Sequence, residues 1–122
     1  MNTTSRRLQG NQAEALVCEY MTNKGFSIYS QNYSKPFGEI DIVATNQDLL
    51  LFIEVKQRTN QLYDPSYAIT ISKQKKIIMT AKAFIAEHTI TNKICRFDVA
   101  LVTYQHEKPH ITYIENAFQG QD

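Results

Sequence analysis

Two acidic residues and a lysine interrupt a strongly apolar part of the chain. Asp41 lies within residues 38–44, and Glu54 and Lys56 lie at the end of residues 49–56. Successive side chains of a β-strand alternate between the two faces of a sheet. If the two segments pair as an antiparallel hairpin, a register with Asp41 opposite Glu54 brings both carboxylates and Lys56 to one face.

Two carboxylates on strands about 5 Å apart repel each other unless a positive charge lies between them. Mg²⁺ is commonly held by one or two carboxylates together with water and phosphate oxygens. Lys56, on the same face as Glu54, is placed to contact a scissile phosphate or to activate a water. This combination suits metal-assisted hydrolysis of phosphodiester bonds.

The same residues also permit a structural interpretation. Charged side chains on one strand face often form a solvated surface with cross-strand ion pairs, each worth roughly 0.2–1 kcal/mol. Glu39, opposite Lys56 in this register, is a candidate for such a pair, or for a group that tunes Lys56. The flanking residues are unusually apolar, so we expect the charged face to be partly enclosed. Because burial of like charges is costly, this argument favours a functional site.

Length and composition predict a single domain over residues 1–122. The chain is 43% hydrophobic and 20% charged, with a net charge of +1, so contacts to phosphate must come from local patches. We interpret Cys18 and Cys95 as reduced, buried residues of a cytoplasmic protein, although a disulfide between them remains open. We expect neither a membrane span nor a signal peptide.

Hydrophobic periodicity predicts an α/β fold with the order α-β-β-β-α-β-β, a mixed sheet with helices packed on it. Alternation places Ile40, Ile42 and Ala44 on one strand face, and Ser72 is the expected N-cap of the second helix. The predicted elements are a helix over 5–24, strands over 26–33, 38–44 and 49–56, a helix from 72 to about 87, and strands over 94–104 and 111–116.

Several motifs together resemble one known family. They are Gly10-x-x-x-Glu14, Gly38-Glu39-Ile40-Asp41, Phe52-Ile53-Glu54-Val55-Lys56-x-Arg58, a lysine-bearing second helix, Arg96-Phe97-Asp98-Val99 and Asn116-Ala117-Phe118. Over nearly the whole chain they resemble the bacterial YraN family. That family is placed in the restriction-endonuclease-like superfamily of PD-(D/E)XK nucleases and is related to archaeal Holliday-junction resolvases.

The resemblance implies a restriction-endonuclease-like α-β-β-β-α-β core and a Mg²⁺ or Mn²⁺ cofactor. Asp41 and Glu54 would be metal ligands, with the Val55 carbonyl as a third. Lys56 would position or activate the attacking water and stabilise charge developing on phosphorus. Glu14 would reach the site from the first helix as an additional acid. Ile40 stands where the superfamily's pattern has proline, which the chemistry does not require.

Basic and aromatic residues near this site are candidates for contacts with DNA. Arg58, Lys73 and Lys76 are placed to hold phosphates, and Lys73 lies close to a helix N-terminus, where backbone N–H groups favour anions. A solvated basic surface is the alternative. Tyr63 and Tyr67, in the irregular segment 57–70, either stack on unpaired bases or pack within the loop. Arg96 and Asp98 are interpreted as a structural ion pair.

These observations support a metal-dependent endonuclease that hydrolyses structured DNA, branched or junction-like. A junction-cutting enzyme makes two symmetric incisions, so a C₂ homodimer is the form expected for that substrate. The weak net charge favours the alternative of a nuclease-like module that binds nucleic acid without efficient catalysis, acting through a protein partner. A structural subunit with a vestigial site is a third interpretation, which predicts no metal binding.

Overall fold

Five strands form one mixed sheet, with a helix packed on each face. The computed structural model describes residues 3–58 and 69–120, with the side chains of the first helix described from Gln12 onward. The elements are α1 (Thr3–Asn23), β1 (Ser27–Lys35), β2 (Gly38–Thr45), β3 (Leu49–Arg58), α2 (Ile71–His88), β4 (Ile94–Gln105) and β5 (Lys108–Phe118).

The strand order is β1-β2-β3-β4-β5. Strands β3 and β4 are parallel and are connected through α2, whereas every other neighbouring pair is antiparallel. The predicted order α-β-β-β-α-β-β is therefore confirmed, and it is consistent with a restriction-endonuclease-like core. In the described part of the chain, no helix is long and apolar enough to cross a membrane.

Each helix covers its own hydrophobic core. Ala13, Val17 and Met21 of α1 are buried, as the apolar stripe predicts. They pack on the sheet face that carries Ile42, Ala44, Leu51, Ile53, Ala100 and Val102. Helix α2 packs on the opposite face with Ile77, Ala81 and Phe84, against a cluster that includes Val43, Leu50, Phe52, Val99 and Phe118.

The alternation predicted for β2 breaks next to Asp41. Ile40 packs on the α2 face with Val43 and not on the face of Ile42, so that part of the prediction is wrong. The break lies opposite Asn32, which stands between the pairs Gln31–Ile42 and Tyr33–Ile40 and has a φ of 53°. A positive φ at a non-glycine residue marks a local kink in the strand.

Three further predictions are corrected. The N-cap of α2 is Thr70 and not Ser72, because the Thr70 side chain accepts a hydrogen bond from the Lys73 N–H at 3.1 Å. Strand β5 begins at Lys108, since the turn before it needs only two residues, both with positive φ. Cys95 is exposed, because β4 begins outside the hydrophobic core, and Cys18 is only half-buried. Both are free thiols.

Strand β2 and helix α2 approach each other very closely at Gly38. A Cβ atom at this position would lie 2.4 Å from the Thr80 hydroxyl oxygen and 2.9 Å from the Lys76 carbonyl oxygen. The Thr80 hydroxyl is itself fixed, because it donates a 2.7 Å hydrogen bond to that same carbonyl. Glycine therefore sets the separation between β2 and the first turns of α2.

We predict that Gly38→Ala lowers the free energy of unfolding by about 1–3 kcal/mol, the usual cost of overpacking a filled interior. Gly120→Ala is the matched control, because its new methyl group would meet Ile78 at an ordinary 3.7 Å. Urea denaturation of both variants measures the difference. Equal stability of Gly38→Ala and the wild type would contradict the close approach.

Candidate active site

A cavity of about 310 Å³ opens where β2 and β3 stop pairing. The paired residues run from Thr45–Leu50 to Ile42–Ile53, a register that continues to Asp41 opposite Glu54. Beyond this point the N-terminal turns of α2 lie over the gap. The cavity is lined by Gly38, Glu39, Asp41, Glu54, Thr70, Ser72, Lys73, Lys76 and Ile77.

Asp41 holds the two strands together at the mouth of this gap. Its carboxylate accepts a 2.8 Å hydrogen bond from the Val55 N–H. The Asp41 side chain thus takes the place that a backbone carbonyl of β2 would otherwise occupy. Burial, followed by the negative charge of Glu54, raises the pKa of Asp41 to about 7.

Glu54 is only 6% exposed and is flanked by two ammonium groups. Its Oε1 lies 2.8 Å from Lys73 Nζ and 3.4 Å from Lys56 Nζ. Burial and the neighbouring Lys73 lower the pKa of Lys56, while Glu54 opposes this change. For Lys73 burial is the largest single effect and acts in the same direction. The hydrogen bond to Glu54, the contact with Lys56 and the charges of Glu54 and Asp41 together outweigh it, so the pKa of Lys73 is raised. Lys73 is therefore the more firmly charged of the two.

Glu14 faces the same group of charges from α1. Its carboxylate accepts a 3.3 Å hydrogen bond from the Asn32 amide, at the kink in β1. Burial raises its pKa, and the charges of Glu39 and Glu54 add to this effect. Glu14 thus interacts electrostatically with two carboxylates of the cavity, without being part of the lining.

The donor set fits a hard divalent cation such as Mg²⁺ or Mn²⁺. Asp41 and Glu54 repel each other, since the charge of Glu54 raises the pKa of Asp41, and a divalent cation bound by both carboxylates would relieve this repulsion. Since the N–H and C=O of a strand residue point to the same side, the Val55 carbonyl also faces the gap. Among the described residues no three His, Cys, Asp or Glu side chains form a cluster, so the Val55 backbone oxygen is the candidate for a third protein ligand.

Two residues predicted to hold phosphates remain to be placed, Lys76 and Arg58. Lys76 lines the cavity, whereas Lys75 lies in a separate groove on the other side of α2. Arg58 ends β3 beyond Lys56, and its guanidinium donates a 2.9 Å hydrogen bond to the Gln57 carbonyl. Tyr63 and Tyr67 lie outside the described residues.

Sequence reasoning underestimated Lys73. It was predicted as a phosphate contact, but the structure places its ammonium group on Glu54, closer than that of Lys56. The ion pair predicted between Glu39 and Lys56 is wrong, because Lys56 contacts Glu54 of its own strand, two residues away. A signal existed in the sequence: Lys73 lies in the first turn of α2, where a basic residue is electrostatically unfavourable.

Asp98 forms a second acidic centre, and its role is structural. The carboxylate is fully buried and accepts hydrogen bonds from Arg96 Nε at 2.9 Å, the Tyr113 hydroxyl at 2.6 Å and the Asn116 N–H at 2.8 Å. The predicted ion pair between Arg96 and Asp98 is confirmed. Because these donors come from β4 and β5 themselves, this carboxylate joins the two strands.

The raised pKa of Asp41 predicts a pH-dependent stability in EDTA. Between its ordinary value of 3.8 and about 7, the folded protein keeps a proton that the unfolded chain has lost. The free energy of unfolding therefore falls as the pH rises through this range. Asp41→Asn keeps the acceptor for the Val55 N–H and removes the charge. We predict that at pH 8 this variant is more stable than the wild type by at least about 1.4 kcal/mol, the equivalent of one pKa unit.

Urea denaturation at pH 5 and pH 8 measures this effect, and we expect the advantage of Asp41→Asn to be smaller at pH 5. Asp48→Asn, in the exposed turn between β2 and β3, is the control. A stability difference between Asp41→Asn and the wild type that is the same at both pH values would contradict the prediction.

Comparison with known proteins identifies the family. Residues 13–102 match UPF0102, described as an uncharacterised protein family. A UPF0102 protein of Myxococcus xanthus is 31% identical over 94% of this chain and 92% of its own length. One from Clostridium botulinum is 39% identical over 90% and 93%, and one from Coxiella burnetii 35% identical over 90% and 91%. The chain belongs to the UPF0102 family.

Proposed function

We propose that this protein is a Mg²⁺- or Mn²⁺-dependent endonuclease of the restriction-endonuclease-like (PD-(D/E)XK) superfamily, related to archaeal Holliday-junction resolvases. One observation carries the proposal: Asp41, Glu54 and Lys56 converge where β2 and β3 separate, beside a cavity that the N-terminal turns of α2 cover. Two carboxylates and a half-buried lysine are groups that suit metal-assisted phosphodiester hydrolysis.

Asp41, Glu54 and the Val55 carbonyl would hold the metal, which supplies Lewis-acid stabilisation of the phosphate charge and activates water. The protein's own contribution is orientation. The Val55 N–H fixes the Asp41 carboxylate, and Glu54 holds the ammonium of Lys56 at 3.4 Å. From there Lys56 can hydrogen-bond a phosphate oxygen or the attacking water. The water oxygen bonds to phosphorus and its proton is released to solvent. The phosphorus–oxygen bond to the leaving strand breaks, and the leaving oxygen takes up a proton from solvent, so that one water is added overall.

The substrate we propose is DNA with a branched or junction-like structure, met in the cytoplasm. Lys73, Lys76 and the N-terminus of α2 form a local positive region at the cavity in a chain of net charge +1. Arg58, at the end of β3, adds a further positive charge beyond Lys56. Two symmetric incisions in a junction would require a C₂ homodimer.

One observation favours a second candidate, a module that binds nucleic acid without efficient cleavage. Of the three described carboxylates that line the cavity, that of Glu39 is exposed, and Glu54 is already neutralised by Lys73. A protein with these properties would retain the phosphate-binding surface and act through a protein partner.

The test is a cleavage assay on single-stranded, duplex, flap and four-way-junction DNA with Mg²⁺ or Mn²⁺. We predict that the wild type cuts one branched substrate and that EDTA abolishes cutting. Asp41→Asn and Lys56→Ala are expected to lower kcat by about 10²–10⁴-fold, the usual effect of removing a positioned catalytic group. Lys75→Ala, in the groove on the other side of α2, is the matched control and is expected to cleave normally.

Cleavage that persists in both Asp41→Asn and Lys56→Ala would overturn the assignment of these residues. Retention of branched DNA in a gel shift, with no cutting under either metal, would favour the binding module.

A further inference from the structure

Lys73 adds to the positive region at the cavity but takes no part in the hydrolytic step proposed above. It projects from the first turn of α2, and its ammonium group lies 2.8 Å from Glu54 Oε1. This contact is 0.6 Å shorter than that of Lys56, whose Nζ lies at 3.4 Å from the same oxygen. The predicted metal ligand Glu54 therefore already has a cation in direct contact with it.

The two lysines differ in their freedom to move away from Glu54. The Lys56 side chain is 18% exposed, and Lys56 belongs to β3, where it is paired with Leu101 of β4. The Lys73 side chain is 43% exposed and lies at the wall of the cavity beside Ser72 and Lys76. A flexible four-carbon stem lets an ammonium group swing into solvent while its backbone stays in the helix.

The backbone beneath Lys73 is fixed independently of the ion pair. Its N–H donates to the Thr70 hydroxyl, which caps α2. Loss of the side chain at this position therefore leaves the helix start intact. The side chain can be removed to test its electrostatic role alone.

We infer that Lys73 is a built-in competitor of the divalent cation: its ammonium group neutralises Glu54 until a metal displaces it. The inference rests on the metal site of the proposed function. Lys73 is then a positioning residue: its ion pair with Glu54 allows two adjacent carboxylates to stay close together in the folded protein when no metal is bound. Loading of the site then becomes an exchange of one cation for another, with Lys73 released toward the mouth of the cavity.

The experiment is calorimetric titration with Mn²⁺ in the absence of DNA, comparing the wild type with Lys73→Met and Lys75→Met. We expect Lys73→Met to bind Mn²⁺ about fivefold more tightly or better, the lower end of common coupling effects. Lys75→Met, in the separate groove, is expected to match the wild type. Lys73→Arg retains a cation and is also expected to bind Mn²⁺ as the wild type does. Glu54→Gln identifies the heat of this site by removing it.

Thermal unfolding in EDTA provides a readout that separates competition from a merely structural role. Lys73→Met is expected to melt a few degrees below the wild type, because Glu54 loses its nearest ammonium. If Lys73 were needed only for structure, its removal would lower both the stability and the Mn²⁺ affinity. If Lys73 competes with the metal, its removal lowers the stability and raises the Mn²⁺ affinity. Should Lys73→Met fail to fold, Lys73→Gln is measured in its place.

Unchanged or weaker Mn²⁺ binding by the folded Lys73 variant would overturn the inference. So would the absence of Mn²⁺ binding in both the wild type and this variant. Tighter binding by the variant, together with a wild type that cleaves no DNA, would support the inference and refute the proposed nuclease activity.

Discussion

Two carboxylates are held side by side in a largely buried place, and the architecture around them balances their charge. Asp41 and Glu54 face each other across the register of β2 and β3, and the repulsion between them contributes to the raised pKa of Asp41. Water cannot screen this repulsion well at such depth. Compensation instead comes from a backbone N–H on β3 and from the ammonium groups of Lys56 and Lys73.

The buried negative charge of Asp98 is balanced in a different way. Its donors come from its own strand and from its neighbour β5, so the balance is complete within the sheet. At Glu54 the nearest donor belongs to a helix that lies across the face of the sheet. The donors to Asp98 all belong to the sheet, whereas Glu54 depends on a helix side chain that is 43% exposed. The two acidic centres therefore differ in which elements supply the balancing donors, more than in the residue types they contain.

The hairpin that carries Asp41, Glu54 and Lys56 could be predicted from sequence because apolar alternation restricts the register so strongly. A slip of one residue would move Ile42 and Ile53 out of the core. The face of Ile40 could not be predicted in this way, since the positive φ of Asn32 lies on the neighbouring strand. The contact of Lys73 with Glu54 depends on how closely α2 packs on β2, which Gly38 permits and helical periodicity does not reveal.

The strand order also sets how far apart two copies of this site would lie if two sheets joined edge to edge. The cavity lies at the separation of β2 from β3, with one strand on one side of this pair and two strands on the other. Strands in a sheet are roughly 5 Å apart. Two sheets joined through their β1 strands would hold the cavities roughly 20 Å apart across the strands, and joining them through β5 would widen this to roughly 30 Å. For an assembly that cuts two DNA strands, the choice of outer strand would therefore set the spacing of the incisions.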